Sequence, residues 1–497
     1  MRKTNARRVG ALLVGLALVA AACGDDDDSG SSATTAAASE TTAGRETTAG
    51  GETTEATEEA TTTTKAGGAA TATTKAGGTT TTTKAGGSST TAAGAAGGGN
   101  GALEGMKGTT PLVELSQDFK DRLLAINPQL TDYNYAAETF DAITIIALAV
   151  EQAKDDGIAY AEKINGITRE GEKCTDFKSC KAILDAGGDP DYDGISGPLE
   201  FAGNGEPLEA SYGLLTFGAN DRVDDAQTEY LPASAPAEAD VAQVPVVGNR
   251  AGDGVLTIGS ILPQTGNLAF LGPPEFAAFD LAIKDINDSG GVLGKPVAGI
   301  PGDSGDTSTD TANQTVDRLL SQNVDAIIGA ASSGVSLTVI DKITGAGVVQ
   351  FSPANTSKTL STYDDKGLYF RTAPSDILQG ATLGEVIAGE GVANIAIVAR
   401  NDSYGTGLAE DAAKALQEAG VEVVLTKIYE QNAQTFDAEV AAVKSANAEA
   451  VLLIAFDEAS KILTKMVEQG IGPKEIKVYG TDGFTGNAVG ENFDAGK

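Results

Sequence analysis

Histidine and tryptophan are absent from this chain of 497 residues, and cysteine and methionine occur only three times each. Without histidine there is no histidine-based triad, no imidazole general base and no imidazole metal ligand. A structural zinc site takes about four cysteine or histidine ligands, which three cysteines cannot supply. Basic residues are also scarce: 35 stand against 69 acidic ones, for a net charge of −34. Such a surface repels phosphate backbones, so nucleic acid is excluded as a partner. No resident metal or cofactor is expected.

Long apolar runs are missing too. The uncharged stretch from Val9 to Ala22 follows Arg2, Lys3, Arg7 and Arg8 and is shorter than the ~20 residues a spanning helix needs. It ends in Ala20-Ala21-Ala22 directly before Cys23. A basic start, a short apolar core and a small-residue cleavage site make a secretory signal. The cysteine at the cut makes it a bacterial lipoprotein signal, with residues 1–22 removed and Cys23 lipidated. Arg7-Arg8 is followed by Val9-Gly10, a poor match to twin-arginine export. The remaining cysteines, Cys174 and Cys180, are close in sequence and would meet an oxidising compartment after export, so a disulfide between them is expected.

Residues 24–100 carry three near-copies of one unit, TTTTKAGG at 61–68, TATTKAGG at 71–78 and TTTTKAGG at 80–87. With so little apolar surface they cannot offset the entropy of ordering, and they have nothing to stack as a solenoid. A flexible tether follows, with an r.m.s. reach on the order of 50 Å. From Val255 onward, short apolar runs alternate with helical periods: VLTIGSI (255–261), VDAIIGA (324–330), GVVQFSP (347–353), NIAIVAR (394–400), VEVVLTKIY (421–429), AEAVLLIAF (448–456) and IKVYGTD (476–482). Phe276, Phe279, Ile283 and Ile286 form one helical stripe; Leu408, Ala412, Leu416 and Ala419 form another, closed by Gly420. This alternation predicts parallel sheets wrapped by helices. Upstream, 135–157 reads as a helix and 210–218 as a strand, and 231–253 as a Pro/Ala-rich connector.

SILPQTGNLAFLGPPEFAAFDLAIKDINDSGGVLGKPV (260–297) resembles the opening of the branched-chain amino-acid substrate-binding proteins of ABC transporters. IIGAASSGVSLTVIDKITGAGVVQFSPANTS (327–357), RNDSYGTGLAEDAAKAL (400–416) and KVYGTDGF (477–484) continue the resemblance in order. The family's last third is matched upstream instead, by LEGMKGTTPLVELSQDF (103–119), YAAETFDAI (135–143) and DYDGISGPLEFAGNGEP (191–207). The resemblance implies an α/β, two-lobed type I periplasmic-binding fold, each lobe a mostly parallel sheet flanked by helices, in circularly permuted order. Residues 101–230 are then the family's C-terminal third, shared by both lobes; 254–375 and 376–497 are the main segments of lobe one and lobe two. New termini at exposed loops are well tolerated.

Ligands of parallel α/β sheets lie beyond the carboxyl ends of the strands. Ser333 follows one strand and precedes a helix, where a hydroxyl and free N–H groups suit a carboxylate; Thr356 and the backbone of Ala354 sit similarly after the next. By resemblance these three hold a ligand's α-carboxylate, although Ser and Thr before helices commonly act as plain N-caps. Asp482 ends IKVYGTD, and the resemblance makes it the partner of the α-ammonium, which an unpaired buried charge requires; an Asp-Gly turn is the plain alternative. Tyr404 matches a tyrosine that closes over the ligand, Leu271 and Phe456 fall at apolar or aromatic walls, and Tyr135 is a further wall candidate. Where the family's type member has a disulfide in its first lobe, this chain has Gly305 and Ser332.

DPDYDGISGPLE (189–200) fits a calcium-loop pattern at Asp189, Asp191, Asp193, Gly194 and Glu200, but turn sequence follows where a helix is needed. Gly405 and Gly407 open a helix after a strand, yet Glu410 occupies the third position of a dinucleotide fingerprint, so close backbone packing is expected there. The expected protein is a non-enzymatic, extracytoplasmic, lipid-anchored monomer whose lobes close over a small amino acid and whose partner is an ABC-transporter permease. Sensing, or binding of an amide- or urea-like solute on the same fold, is the alternative, and a surface enzyme acting on a nucleotide or sugar is a further one.

Overall fold

A computed structural model describes residues 99–495, with side chains to Phe493. The signal segment, Cys23 and the threonine-rich repeats lie outside the described residues. Fourteen strands and eleven α-helices follow. The first part of the chain holds β1 (Lys107–Pro111), α1 (Gln117–Ile126), α2 (Ala136–Ala153), β2 (Glu172–Cys174), α3 (Phe177–Asp185), β3 (Pro190–Tyr192), β4 (Glu209–Thr216) and β5 (Glu229–Ser234). The middle holds β6 (Thr257–Ile261), α4 (Gly272–Asp288), β7 (Ala298–Ile300), α5 (Thr311–Ser321), β8 (Ala326–Gly329), α6 (Ser333–Gly345), β9 (Val349–Ser352) and β10 (Tyr369–Arg371). The last part holds α7 (Asp376–Gly389), β11 (Asn394–Arg400), α8 (Ser403–Glu418), β12 (Glu422–Tyr429), α9 (Asp437–Ala446), β13 (Ala450–Ile454), α10 (Ala459–Glu468), β14 (Lys477–Gly480) and α11 (Asn487–Ala495).

Two large sheets organise these elements. The order β10-β9-β8-β6-β7 forms a five-stranded, wholly parallel sheet. The order β12-β11-β13-β14-β1-β4-β5 forms the other. It is parallel from β12 to β1 and antiparallel beyond. Strands buried on both faces read as unbroken apolar runs: AVLLI of β13 and AIIG of β8 are buried at every position. Helices α1, α2 and α4 pack with the five-stranded sheet in one core containing Phe119, Ile143, Ile146, Phe279, Ile328 and Phe351. Helices α7 and α8 pack on one face of the seven-stranded sheet through Leu383, Leu408 and Leu416, and α9 and α10 on the other through Val440 and Leu463. Each lobe is thus an α/β layer structure, and each joins elements of the first part of the chain to a later part, the middle part in the five-stranded lobe and the last part in the seven-stranded one.

Pairing of β1 with β14 is parallel, Lys107 opposite Tyr479. The chain passes between lobes at 112–116, 202–208, 235–256 and 372–375. The connector begins later than its composition indicates: residues 231–234 belong to β5, which among the described residues pairs only with β4. Pro232 is tolerated there because an edge strand can do without one N–H. Beyond Ser234 the chain is tied along the first lobe by Gly203 N–H to Val241 O at 3.1 Å, Val244 N–H to Gly203 O at 2.9 Å and Val247 N–H to Lys366 O at 2.9 Å. Arg250 then pairs with the buried Asp325 at 2.8 Å. Cys174 and Cys180 form a disulfide that fastens β2 to α3. Among the described residues no helix is long and apolar enough to cross a membrane.

Candidate functional site

The carboxyl ends of β8 and β9 build one wall of a cleft between the lobes. Gly329 closes β8 with φ +113°, and a Cβ there would lie 2.3 Å from Ile261 O, so only glycine allows the turn into α6. The N-cap of α6 is Ser332, whose Oγ accepts Val335 N–H at 3.4 Å. Ser333 is therefore released from capping; among the described residues its buried Oγ accepts only Ser357 N–H, at 3.3 Å. After β9, Ser352 Oγ accepts the N–H groups of Ala354 (3.2 Å) and Asn355 (2.9 Å) and donates to Ala330 O at 2.7 Å. That shape presents Ala354 and Thr356 to the cleft. The cap of the following 3-10 turn is Ser357, which leaves Thr356 free of that duty as well.

Arg371, at the end of β10 and 1% exposed, supports this loop from below. It donates to Asn355 O at 3.2 Å and Ser357 O at 3.0 Å and pairs with Glu206. A buried guanidinium is tolerable because its donors are used and its charge is matched. Arg371 holds Glu206 below the ordinary carboxylate range against the opposing pull of burial, which is the larger single influence and acts upward.

The opposite wall comes from the ends of β11, β13 and β14. Asp482 follows β14 and is 4% exposed. Tyr135, the residue before α2, donates to Asp482 Oδ2 at 2.7 Å, and Tyr404, in the first turn of α8, donates to Oδ1 at 2.8 Å. Burial raises the Asp482 carboxyl above its usual range, and these two hydroxyls partly oppose the rise. Both tyrosines are pushed well above 10 by burial, then by the Asp482 charge. Tyr404 stacks on Phe456 with centroids 5.4 Å apart and planes 20° apart. The Arg400 guanidinium lies 3.5 Å from the Phe456 centroid and is held by Asp402 at 2.5 Å and Glu458 at 2.6 Å.

These walls close on a narrow cavity with room for about one water. All eight residues singled out in the sequence, Tyr135, Leu271, Ser333, Ala354, Thr356, Tyr404, Phe456 and Asp482, line it, joined by Leu268, Ala331 and Gly483. Contacts between the lobes keep the cleft shut: Ser357 Oγ donates to Ser403 O at 2.8 Å, Lys358 reaches Asp411 at 2.9 Å and Glu410 at 3.1 Å, and Thr307 donates to Gln431 at 2.9 Å. The arrangement offers neutral dipoles on one side and a buried carboxylate on the other.

Several buried charges behind the cavity are not among the site residues expected from the sequence. Arg371 and Arg400 end apolar strands, a legible signal had each strand's last residue been weighed; Glu206 and Glu458, their partners, gave none. Asp376 follows the loop and is fully buried, its carboxyl pushed well up by burial and by the charge of Asp482. In the first turns of α2 and α4, burial pushes Glu138 to about 8, with Asp141 adding to the rise, and Glu275 well above its usual range, with Glu138 adding to it.

The calcium-like loop is answered by a lysine. Lys173 Nζ lies 2.9 Å from Asp191, 3.0 Å from Asp193 and 3.3 Å from Glu200, so an ammonium occupies the centre of those carboxylates. Among the described residues no group of three or more His, Cys, Asp or Glu could hold a metal ion. At Gly405 a Cβ would lie 2.3 Å from Arg400 O, which accounts for that glycine by backbone packing.

Residues 255–493 match the profile of a family described as periplasmic binding protein. The chain is 31% identical over 237 residues to the Leu/Ile/Val-binding protein homolog 1 of Brucella melitensis, covering 47% of this chain and 62% of the relative. It is 28% identical over 257 residues to the Leu/Ile/Val-binding protein homolog 7 of Brucella abortus, covering 48% and 62%. The chain thus spans just over three fifths of the length of these relatives. Similar solved structures include the branched-chain amino acid transporter substrate binding protein LivJ of Streptococcus pneumoniae in complex with isoleucine, at 24% identity, TM-score 0.43 and coverage of 48% and 67%. Another is the leucine binding protein LivK of Thermotoga maritima, at 22% identity, TM-score 0.44 and the same coverages. Two α/β lobes flanking one cleft and this match over 255–493 make the chain similar to the periplasmic binding proteins.

Proposed function

We propose that this protein is the extracytoplasmic, substrate-binding lipoprotein of an ABC transporter, capturing a small amino acid between its lobes and presenting it to a membrane permease without catalysis. The observation that carries this is the polarity of the cleft. Ser333, Ala354 and Thr356 offer hydroxyl and N–H groups at the start of α6 and in the next loop, while Asp482 offers a carboxylate from the facing lobe. A zwitterion would set its carboxylate on the dipoles and its ammonium on the charge. Closure removes water and strengthens both contacts. The relatives named as Leu/Ile/Val-binding proteins support an amino-acid ligand.

A thermal-shift screen of amino acids, amides, sugars and nucleotides tests the reading. A ligand at a hundredfold excess over Kd raises stability by about 2.7 kcal/mol. An amino acid is expected to shift melting; a shift with a nucleotide and none with any amino acid would overturn the proposal. The Cys23 anchor is tested by metabolic lipid labelling, which Cys23→Ser should abolish.

Permuted order belongs to the same proposal. Strands β1, β4 and β5 complete the sheet formed by β11–β14, and the family match covers only the later segment, 255–493. A re-ordered chain running 254–497 and then 101–230 is expected to fold and bind as the original does. Failure to fold with a flexible joint at the new junction would count against it.

A further inference from the structure

Arg400 ends β11, is 2% exposed, and touches two supports of the charged wall at once. Its guanidinium lies over the Phe456 ring, 3.5 Å from the centroid. Its Nε–H donates to Asp402 Oδ2 at 2.5 Å, and Asp402 is the N-cap of α8, accepting Gly405 N–H on Oδ1 at 2.8 Å. Tyr404 depends on both supports, because it lies in the first turn of α8 and stacks on Phe456. Resting on the amino-acid reading above, we infer that Arg400 is a positioning residue of the ammonium site, fixing Tyr404 against Asp482 through the Asp402 cap and the Phe456 ring.

Two glycines make room for this arrangement. A Cβ at Gly405 would lie 2.4 Å from Arg400 Cγ, so its absence lets the arginine stem lie along the first turn of α8. A Cβ at Gly483 would lie 2.8 Å from Phe456 Cδ1 and 3.0 Å from Tyr404 Oη, where both rings approach the residue after Asp482. The Tyr404 hydroxyl then has little freedom. It donates to Asp482 Oδ1 at 2.8 Å, accepts Gly483 N–H at 3.2 Å and lies 2.7 Å from Thr481 Oγ1. A tilt of the ring would disturb all three contacts together.

Shape matters here as well as charge. A planar guanidinium can lie flat on an aromatic face while its edge N–H groups reach carboxylates; an ammonium offers its charge at one point. The Nη1 group of Arg400 donates to Glu458 Oε1 at 2.6 Å, and Tyr429 Oη donates to the same oxygen at 2.8 Å. The plane of the guanidinium is therefore set from the start of α8 and from the residue before α10. With two carboxylates on it, Arg400 has no charge to spare for a ligand's carboxylate. Its influence on binding runs through Phe456 and Tyr404.

The test is calorimetric titration of the full chain with the twenty L-amino acids, then a double-mutant cycle on the tightest of them. Arg400→Lys keeps the charge and loses the flat fork; it is expected to weaken that amino acid at least about tenfold. Tyr404→Phe keeps the ring and loses the hydroxyl. In that background the lysine change is expected to cost less than about threefold, since residues acting through one another are not additive. If Arg400→Lys does not fold, Arg400→Met with Asp402→Asn and Glu458→Gln removes the buried charges together, keeps a capping side chain at 402 and replaces it in the cycle. Parental affinity in the lysine variant would show that charge alone suffices, and losses that multiply in the double variant would show that Arg400 acts apart from Tyr404. Either result overturns the inference while leaving the amino-acid reading intact. Binding of no amino acid by the parent would remove that reading, and the inference with it.

Discussion

The two walls of the cleft solve opposite problems by different means. The first lobe faces the cavity with Ser333, Ala354 and Thr356, none of them charged, and keeps its charges, Arg371 and Glu206, beneath the loop as support. The second lobe places a full charge, Asp482, at the cavity, where its own Tyr404 and, from across the cleft, Tyr135 of the first lobe cap it. An anionic group can be held by several fixed N–H and O–H dipoles, none of which costs much to bury. A cationic group needs acceptors, and the strongest is an anion whose own burial is expensive. Tyr135 and Tyr404 reduce that cost while the cleft is shut. The lesson is that the asymmetry of an amphoteric ligand is written as dipoles against charge.

The sharpest way to break this comparison is to remove the charged side. Asp482→Ala is expected to cost ligand binding about 3–5 kcal/mol, as for loss of one partner of a buried pair, with circular dichroism unchanged; calorimetric affinity within threefold of the parent would take Asp482 out of the site. Removing one dipole should cost less. Ser333→Ala is expected to lose about 1.5–3 kcal/mol, the worth of a hydrogen bond to a charged group, and an equal loss at both positions would erase the proposed asymmetry.

A change far from both walls should touch stability and not affinity. Replacing Cys174 and Cys180, which close a short loop of the first lobe, by serine should lower unfolding free energy by about 2 kcal/mol; an altered ligand Kd would show that this lobe transmits strain to the cleft.

Proton uptake separates the walls further. The Asp482 carboxyl is raised by burial, and a bound ammonium favours its ionised form. Binding should therefore release a proton, and affinity should fall as pH drops through the raised value, by up to about 1.4 kcal/mol per unit. Ligand-free stability should move the other way: Glu138, raised from 4.5 to about 8, disfavours the folded state progressively as pH rises between those values. Titration calorimetry in buffers of different ionisation enthalpy, alongside melting against pH, would detect parallel rather than opposed trends. The smallest effect is expected at the rim. Lys358 is 33% exposed and bridges to Glu410 and Asp411, so Lys358→Ala should weaken binding by no more than about 1 kcal/mol, read from the affinity and its salt dependence.

Much of the scaffold was legible in the residues. NIAIVAR coincides with β11, and Gly420, with φ +85°, follows α8 as its stop signal requires. Continuous apolar runs and helical stripes are local patterns imposed by burial on two faces or one. The strand β5 was not legible, because Pro232 and the alanines around it carry connector chemistry and only pairing with β4 makes them a strand. Ser333 illustrates the same limit at the site: whether it caps α6 or faces the cleft depends on Ser332 taking the cap.

By itself, the sequence determined the chemistry available: no imidazole, no zinc set, an acidic surface, strands alternating with helices, and hydroxyl and carboxylate residues at the strand ends. Tertiary structure alone decided that Tyr135 meets Asp482 across a separation of 347 residues and that Arg400 grips Phe456. It decided too that Lys173 fills the calcium-like loop. Composition and periodicity act over a few residues, so they fix types and elements. Partners of buried charges are chosen by which distant strands lie side by side, and that is a property of the sheets.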